Sequence, residues 1–207
     1  MQRLIYLLRH GEIETSVPRR FIGRSDLPLN SSGIRQAQVL GEQFRSMSFA
    51  RVVTSPLQRA IQTAALVSGW TVDRMEQNGA FAEIDLGDWE GRTVMEIEHL
   101  FPGAYEERGR NLEHYRPCRG ESFGDVAARA LPALEALLTG REQGPILIVA
   151  HAGVNRVLLS RLLQRPVQQL FKIPQDYGAI NILQVRAQGV EVLAVNLCKQ
   201  IPTSEDQ

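Results

Sequence analysis

Cysteine is scarce in this chain: two in 207 residues, Cys118 and Cys198, far apart and outside any CxxC pair. That spacing supports neither a disulfide framework nor a zinc site, and it fits a reducing compartment. There is no apolar run long enough for a membrane span. The amino-terminal stretch "MQRLIYLLRHGE" is also too short for a signal peptide, and no small-residue cleavage site follows it, so a cytoplasmic protein is expected. Charge of one sign is lacking too. Lys plus Arg and Asp plus Glu each number 23, for a formal net charge of +0. A general binder of nucleic acid or anionic membrane usually carries a basic excess, so both partner classes are set aside. The four histidines show no HxxxH spacing, and no metal ligand set is expected. Repeats, low-complexity tracts and clear linkers are missing as well. The chain therefore reads as one domain, 1–207, and the final "PTSEDQ" as a frayed terminus.

What is present is an alternation of short apolar runs and helical patterns. "RLIYLL" (3–8), "ARVVTS" (50–55) and "PILIVA" (145–150) read as buried strands, and "WTVDRM" (70–75) as another. "SSGIRQAQVLGEQFRSM" has Ile34, Ala37, Leu40 and Phe44 on one helix face, with Ser31 or Ser32 as cap. "PLQRAIQTAALVSG" reads as a helix with Ser55 as N-cap, Pro56 at its first position and Gly69 after its end. Further helices are expected within 93–101, 105–115 and 122–140, and in "GVNRVLLSRLLQ". "AINILQV" and "VEVLAVN" form a late hairpin, whose second strand is a candidate for pairing across a homodimer. The pattern predicts an α/β layered fold. The less regular segment 81–121 has the character of a lid or specificity segment.

Three strand ends carry the chemistry. Arg9, His10 and Gly11 follow the first strand. Arg59 lies near the start of the helix after "RVVTS". His151, Ala152 and Gly153 follow "PILIVA" and open a helix. In open α/β sheets, sites form beyond the carboxyl ends of strands, and a helical side chain leans back toward the amino terminus, which aims Arg59 at the same crevice. Two guanidiniums, two imidazoles and a helix amino terminus suit a phosphoryl dianion. Gly11 and Gly153 are either turn glycines or points of close approach. His99 and His114 have no partner motif and are read as ordinary surface residues.

"LLRHGEIE", "FIGRSDLPLNSSGIRQAQ", "TSPLQRAIQTA", "EIDLGDWEG", "GES" and "VAHAGVNR" stand in the order found in the histidine phosphatase superfamily, the phosphoglycerate-mutase-like group, and the chain resembles that family from Leu4 to about Val195. The resemblance implies a three-layer α/β/α sandwich with a mixed, mostly parallel central sheet, and no metal or organic cofactor. It implies His10 as the nucleophile that becomes phosphohistidine, its other ring nitrogen held by a backbone carbonyl. Arg9, Arg59 and His151 would form the phosphate pocket, with Ala152, Ser16 and Gly23 at its substrate side. Glu83 matches the usual proton donor. A protonated His151 would help the arginines stabilise charge on the transferring group. Ile13 and Ser16 depart from the common pattern, and both departures touch the substrate side. The chain is shorter than typical mutases of the group, which favours hydrolysis of a small phosphomonoester. "FAEIDLGDWEGRT", "RGESF" and "QDYGAINIL" look most like the α-ribazole phosphatase-like branch, associated with cobalamin assembly. The alternatives are a phosphoglycerate mutase, a broad-specificity sugar or amino-acid phosphate phosphatase, and a non-catalytic phosphoester-binding protein.

Overall fold

The computed structural model describes residues 3–140 and 142–198, so the expected frayed tail lies outside the described residues. The apolar runs do form strands. β1 (Arg3–Arg9), β2 (Arg51–Thr54) and β4 (Ile146–Ala150) lie side by side and parallel, β4 between the other two. β5 (Ile180–Arg186) joins the free edge of β1 antiparallel, and β6 (Gly189–Leu197) turns back on β5 as the expected hairpin. A short β3 (Glu76–Gln77) closes the other edge, giving the order β3-β2-β4-β1-β5-β6.

Strand side chains alternate between faces, and here both faces are covered. Ile5, Leu7, Val53, Ile146 and Ile148 pack into one apolar cluster with α5 (Phe123–Thr139) and α6 (Ala152–Leu162). Tyr6, Leu8, Val52, Leu147 and Val149 pack into a second with α1 (Ser31–Gln43) and α2 (Gln58–Ser68). A parallel strand buried on both faces needs an unbroken apolar run, which is why "ILIVA" is buried throughout. The result is the expected mixed α/β sheet between two helical layers. Two shorter helices, α3 (Val94–Leu100) and α4 (Ala104–Arg110), lie in the irregular stretch before α5. Among the described residues, no helix is long and apolar enough to cross a membrane.

Several local expectations need correction. "WTVDRM" is not a strand: residues 72–74 form a single 3₁₀ turn and Val72 is exposed, so its alternation has no face to bury. Neither Ser31 nor Ser32 caps α1. Asn30 does, accepting from the Gly33 amide at 2.8 Å. Ile34 is exposed, because Gly33, Ala37, Leu40 and Phe44 make the buried stripe instead. Ser55 does not cap α2 either. That helix begins at Gln58, whose amide is capped from a distant loop by Asp26 Oδ1 at 2.7 Å. Gly69 ends it as expected, at φ 69°.

The arrangement creates one crevice. β1 and β4 are adjacent and parallel, yet the chain leaves β1 toward the α1 face and leaves β4 into α6 on the opposite face. Such a divergence opens a cleft at the carboxyl ends.

Candidate active site

A cavity of about 130 Å³ lies in that cleft, and Arg9, His10, Arg59, Glu83, Ala152 and Tyr177 line it. His10 is pinned by its backbone. Its N–H donates to Ala150 at the end of β4, and its carbonyl accepts from Gly178, both at 3.1 Å. The ring is 4% exposed. Its Nδ1 lies 2.7 Å from the Gly11 carbonyl. A carbonyl only accepts, so Nδ1 carries the proton and Nε2 keeps its lone pair. This is the backbone restraint that the family resemblance implies, supplied by the very next residue.

Arg59 is almost fully buried, and three of its five N–H groups donate to fixed partners, which leaves one on each Nη for a ligand. Nη1 donates to the Ser25 carbonyl at 2.6 Å and Nη2 to the Gly23 carbonyl at 2.7 Å. Nε donates to His151 Nδ1 at 3.3 Å. His151 in turn donates from Nε2 to Ser55 Oγ at 2.7 Å. With Nδ1 accepting and Nε2 donating, the ring is neutral, which corrects the expectation of a protonated His151. The two imidazoles sit with centroids 5.0 Å apart. Arg9 reaches the site from the end of β1. Its Nη1 donates to the Gln175 carbonyl at 2.6 Å and its guanidinium carbon lies over the Tyr177 ring, 3.7 Å from the centroid. Arg9 Nε is buried without a partner among the described residues.

Glu83 is buried beside this group. One carboxylate oxygen accepts from the Ile84 amide at 2.9 Å, the other from the Gly153 amide at 3.1 Å in the first turn of α6. A methyl on Gly153 would sit 2.5 Å from Glu83 Oε1, and one on Gly11 would sit 2.6 Å from the Gly33 carbonyl. Both glycines are therefore points of close approach rather than turn residues.

Of the sequence-derived set, Arg9, His10, Arg59, Glu83 and Ala152 line the cavity, while His151 is fully buried, outside the lining, and meets the site through Arg59, and two further residues do not converge. Ser16 is exposed, donates to the Pro18 carbonyl at 3.0 Å, and lines neither this cavity nor its larger neighbour. Thr15 occupies the wall instead. Gly23 stands behind Arg59 as an acceptor and does not face the cavity. Sequence reasoning gave no role to Tyr177, or to the buried Gln175–Asn181–Asn155 amides that steady the Arg9 acceptor at hydrogen-bond distances of 2.7–3.1 Å. It also passed over the basic pair Arg19 and Arg20 on the cavity wall, which "PRRF" displays in plain view. Among the described residues, no group of three or more His, Cys, Asp or Glu is arranged to hold a metal ion.

Both imidazoles titrate well below their ordinary value. Burial is the main cause in each; Arg59 and then Arg9 add to it for His10, and His10 and then Arg59 for His151. The unfolded chain takes up these protons below about pH 6.5 while the folded chain does not. Stability contributed by the two neutral rings is thus fully present above that pH and is lost as pH falls, by about 1.4 kcal/mol per pH unit per ring. Thermal melts should show a midpoint that drops steadily from pH 6.5 to 5. The drop should be shallower in a His10→Ala variant, which removes one of the two protons.

Known proteins resemble this chain along most of its length. The chain is 32% identical over 172 residues to a glucosyl-3-phosphoglycerate phosphatase of Mycolicibacterium vanbaalenii, covering 80% of this chain and 76% of the relative. It is 29% identical over 199 residues to an adenosylcobalamin/alpha-ribazole phosphatase of Escherichia coli, covering 90% and 98%. It superposes on Bacillus stearothermophilus YhfR with a TM-score of 0.84 at 34% identity, covering 97% of this chain and 98% of that one. Against a group of longer mycobacterial relatives at 32% identity, it spans about half their length, 51%. The model of the histidine phosphatase superfamily (branch 1) matches residues 5–197, and with nearly the whole chain so covered, the protein belongs to that family.

Proposed function

We propose that the protein is a phosphomonoester hydrolase that works through a phosphohistidine at His10. The observation that carries the reading is the His10–Gly11 hydrogen bond, which leaves an imidazole lone pair in a small cavity walled by Arg9, Arg59 and Glu83. His10 Nε2 attacks phosphorus, the bond from phosphorus to the alcohol oxygen breaks, and Glu83 gives that oxygen a proton. Glu83 then takes a proton from water, the water oxygen attacks phosphorus, and the nitrogen–phosphorus bond breaks to release inorganic phosphate. Arg9 and Arg59 hold the phosphoryl oxygens throughout, because charge spreads over them in a loose transition state. His151, neutral and tethered to Ser55 and Arg59, fixes the guanidinium from behind the cavity lining. The cycle uses no cofactor, and we take the segment 81–121, which supplies Glu83, as the part that shapes specificity.

α-Ribazole 5′-phosphate and glucosyl-3-phosphoglycerate head the substrates to test, since relatives at similar distance are named for each. With the first, the protein would serve cobalamin assembly in the cytoplasm. Phosphate release from a panel containing both esters, sugar phosphates and phosphoserine tests the reading, which fails if none turns over. Isomerisation of phosphoglycerate with a bisphosphoglycerate primer identifies a mutase instead.

Glu83→Gln separates the two halves of the cycle. Hydrolysis of alkyl phosphates should fall about a hundredfold, the scale of a lost general acid. An aryl phosphate with an acidic phenol should still give a burst of phenol, because its leaving oxygen needs no proton. Rapid-mixing absorbance reads the burst, and its absence would remove Glu83 from the second step.

A further inference from the structure

Beside the phosphate pocket lies a larger cavity of about 870 Å³ that shares Arg19, Arg20, Ile22, Glu83 and Ala152 with it. A substrate bound through its phosphoryl group would extend its alcohol portion there. Much of the wall is apolar: Phe21, Leu86, Val94, Leu112, Phe123 and Phe171. Set into this wall is Arg108, from α4, only 8% exposed. Its guanidinium carbon lies 5.1 Å from the Phe123 ring and 5.7 Å from the Trp89 ring. Its side chain makes no hydrogen bond and no ion pair with any described residue.

Of the other arginines lining this cavity, Arg19 is likewise without a described partner but is exposed to solvent, and three have partners. Arg110 pairs with Glu106 at 2.5 Å and Arg20 with Glu96 at 2.9 Å, while Arg156 Nε donates to the Ile173 carbonyl at 2.9 Å. Burial alone pulls the Arg108 pKa down, against the opposing influence of Tyr105, Tyr115 and Glu83. Buried charges are normally paired, and aromatic faces recover only part of the lost hydration. An unpaired guanidinium in the wall of a cavity is the mark of a group held for a ligand. Its planar fork matches a carboxylate.

We propose that the preferred substrate is a phosphomonoester whose alcohol portion is largely apolar and carries a carboxylate that Arg108 receives. This rests on the hydrolase reading above and narrows its substrate class. Two matched pairs test it. 4-Carboxyphenyl and 4-carbamoylphenyl phosphate have the same shape and differ in charge. The corresponding benzyl phosphonates cannot be hydrolysed and report binding alone, by calorimetry. The wild-type protein should prefer the carboxylate ester about tenfold or more in kcat/KM, mostly through KM, and the carboxylate phosphonate by a similar factor in affinity. The ratio should fall close to one in Arg108→Met and stay intermediate in Arg108→Lys. Should Arg108→Met not fold, the wild-type ratio and the lysine variant decide. Hydrolysis of both esters without preference, or a preference that survives Arg108→Met, overturns the proposal and leaves the hydrolase reading intact. Carboxylate-selective phosphonate binding with no ester turned over does the reverse.

Discussion

His10→Ala is expected to reduce phosphate release by about 10⁴-fold or more, the scale seen when a covalent nucleophile is removed. The geometry explains why nothing nearby substitutes. His151 is close, with ring centroids 5.0 Å apart, but its Nε2 donates to Ser55 and its Nδ1 accepts from Arg59. Neither nitrogen has a lone pair directed at the cavity. Brief mixing of the wild type with substrate, followed by quenching, should leave phosphate on the protein that is labile to acid and stable to base, and His10→Ala should carry none. A variant as active as the parent would end the proposed mechanism. Comparable melting midpoints at pH 8, where both rings are neutral even when unfolded, would show that lost activity is not lost fold.

Arg59→Met should fail in two ways at once. It removes a donor for transition-state charge, a loss of about 10³-fold in kcat. It also strands buried acceptors. The carbonyls of Gly23 and Ser25 lose their guanidinium partner, and an unpaired buried acceptor costs about 1–3 kcal/mol. Denaturant melts should therefore show a destabilisation of about 3 kcal/mol. Arg59→Lys should rescue little, because a single ammonium on a flexible stem does not reproduce a planar fork that spans two carbonyls and an imidazole. If Arg59→Met melted like the parent and lost only activity, the anchoring role would be wrong and the electrostatic one would stand alone.

The strand-end constellation was legible because each member abuts an apolar run. "RLIYLL" delivers Arg9 and His10, and "PILIVA" delivers His151. A buried parallel strand has little freedom in where it stops, so the residue after it is placed by the sheet. Arg59 was legible from helical direction, since a side chain in the first turn leans back toward the strand it follows. What escaped notice depends on contacts between segments distant in sequence. Ser55 looks like a cap in any local window, and only the return of β4 beside β2 puts His151 against it. Tyr177 sits in a polar turn before β5, and its role follows from the antiparallel pairing of β5 with β1, which folds that turn over Arg9. Asn30, placed one residue before the serines chosen as cap, illustrates how three adjacent capping residues defeat a local rule. Ser16 was placed only by a family offset from His10, and in this loop it is Thr15 that lines the cavity.

Glu90 shows how the irregular stretch is tied down. Its two carboxylate oxygens gather the amides of Gly23, Arg24 and Ser25 at 2.9–3.2 Å, and the carbonyls of two of those residues are the ones gripped by Arg59. A short span of otherwise structureless chain is thereby clamped from both sides of its peptide planes, by an anion on one and a cation on the other. Whatever breathing admits a reactant must bend elsewhere, so the rigidity of the reaction chamber is borrowed from a carboxylate that never touches the chemistry.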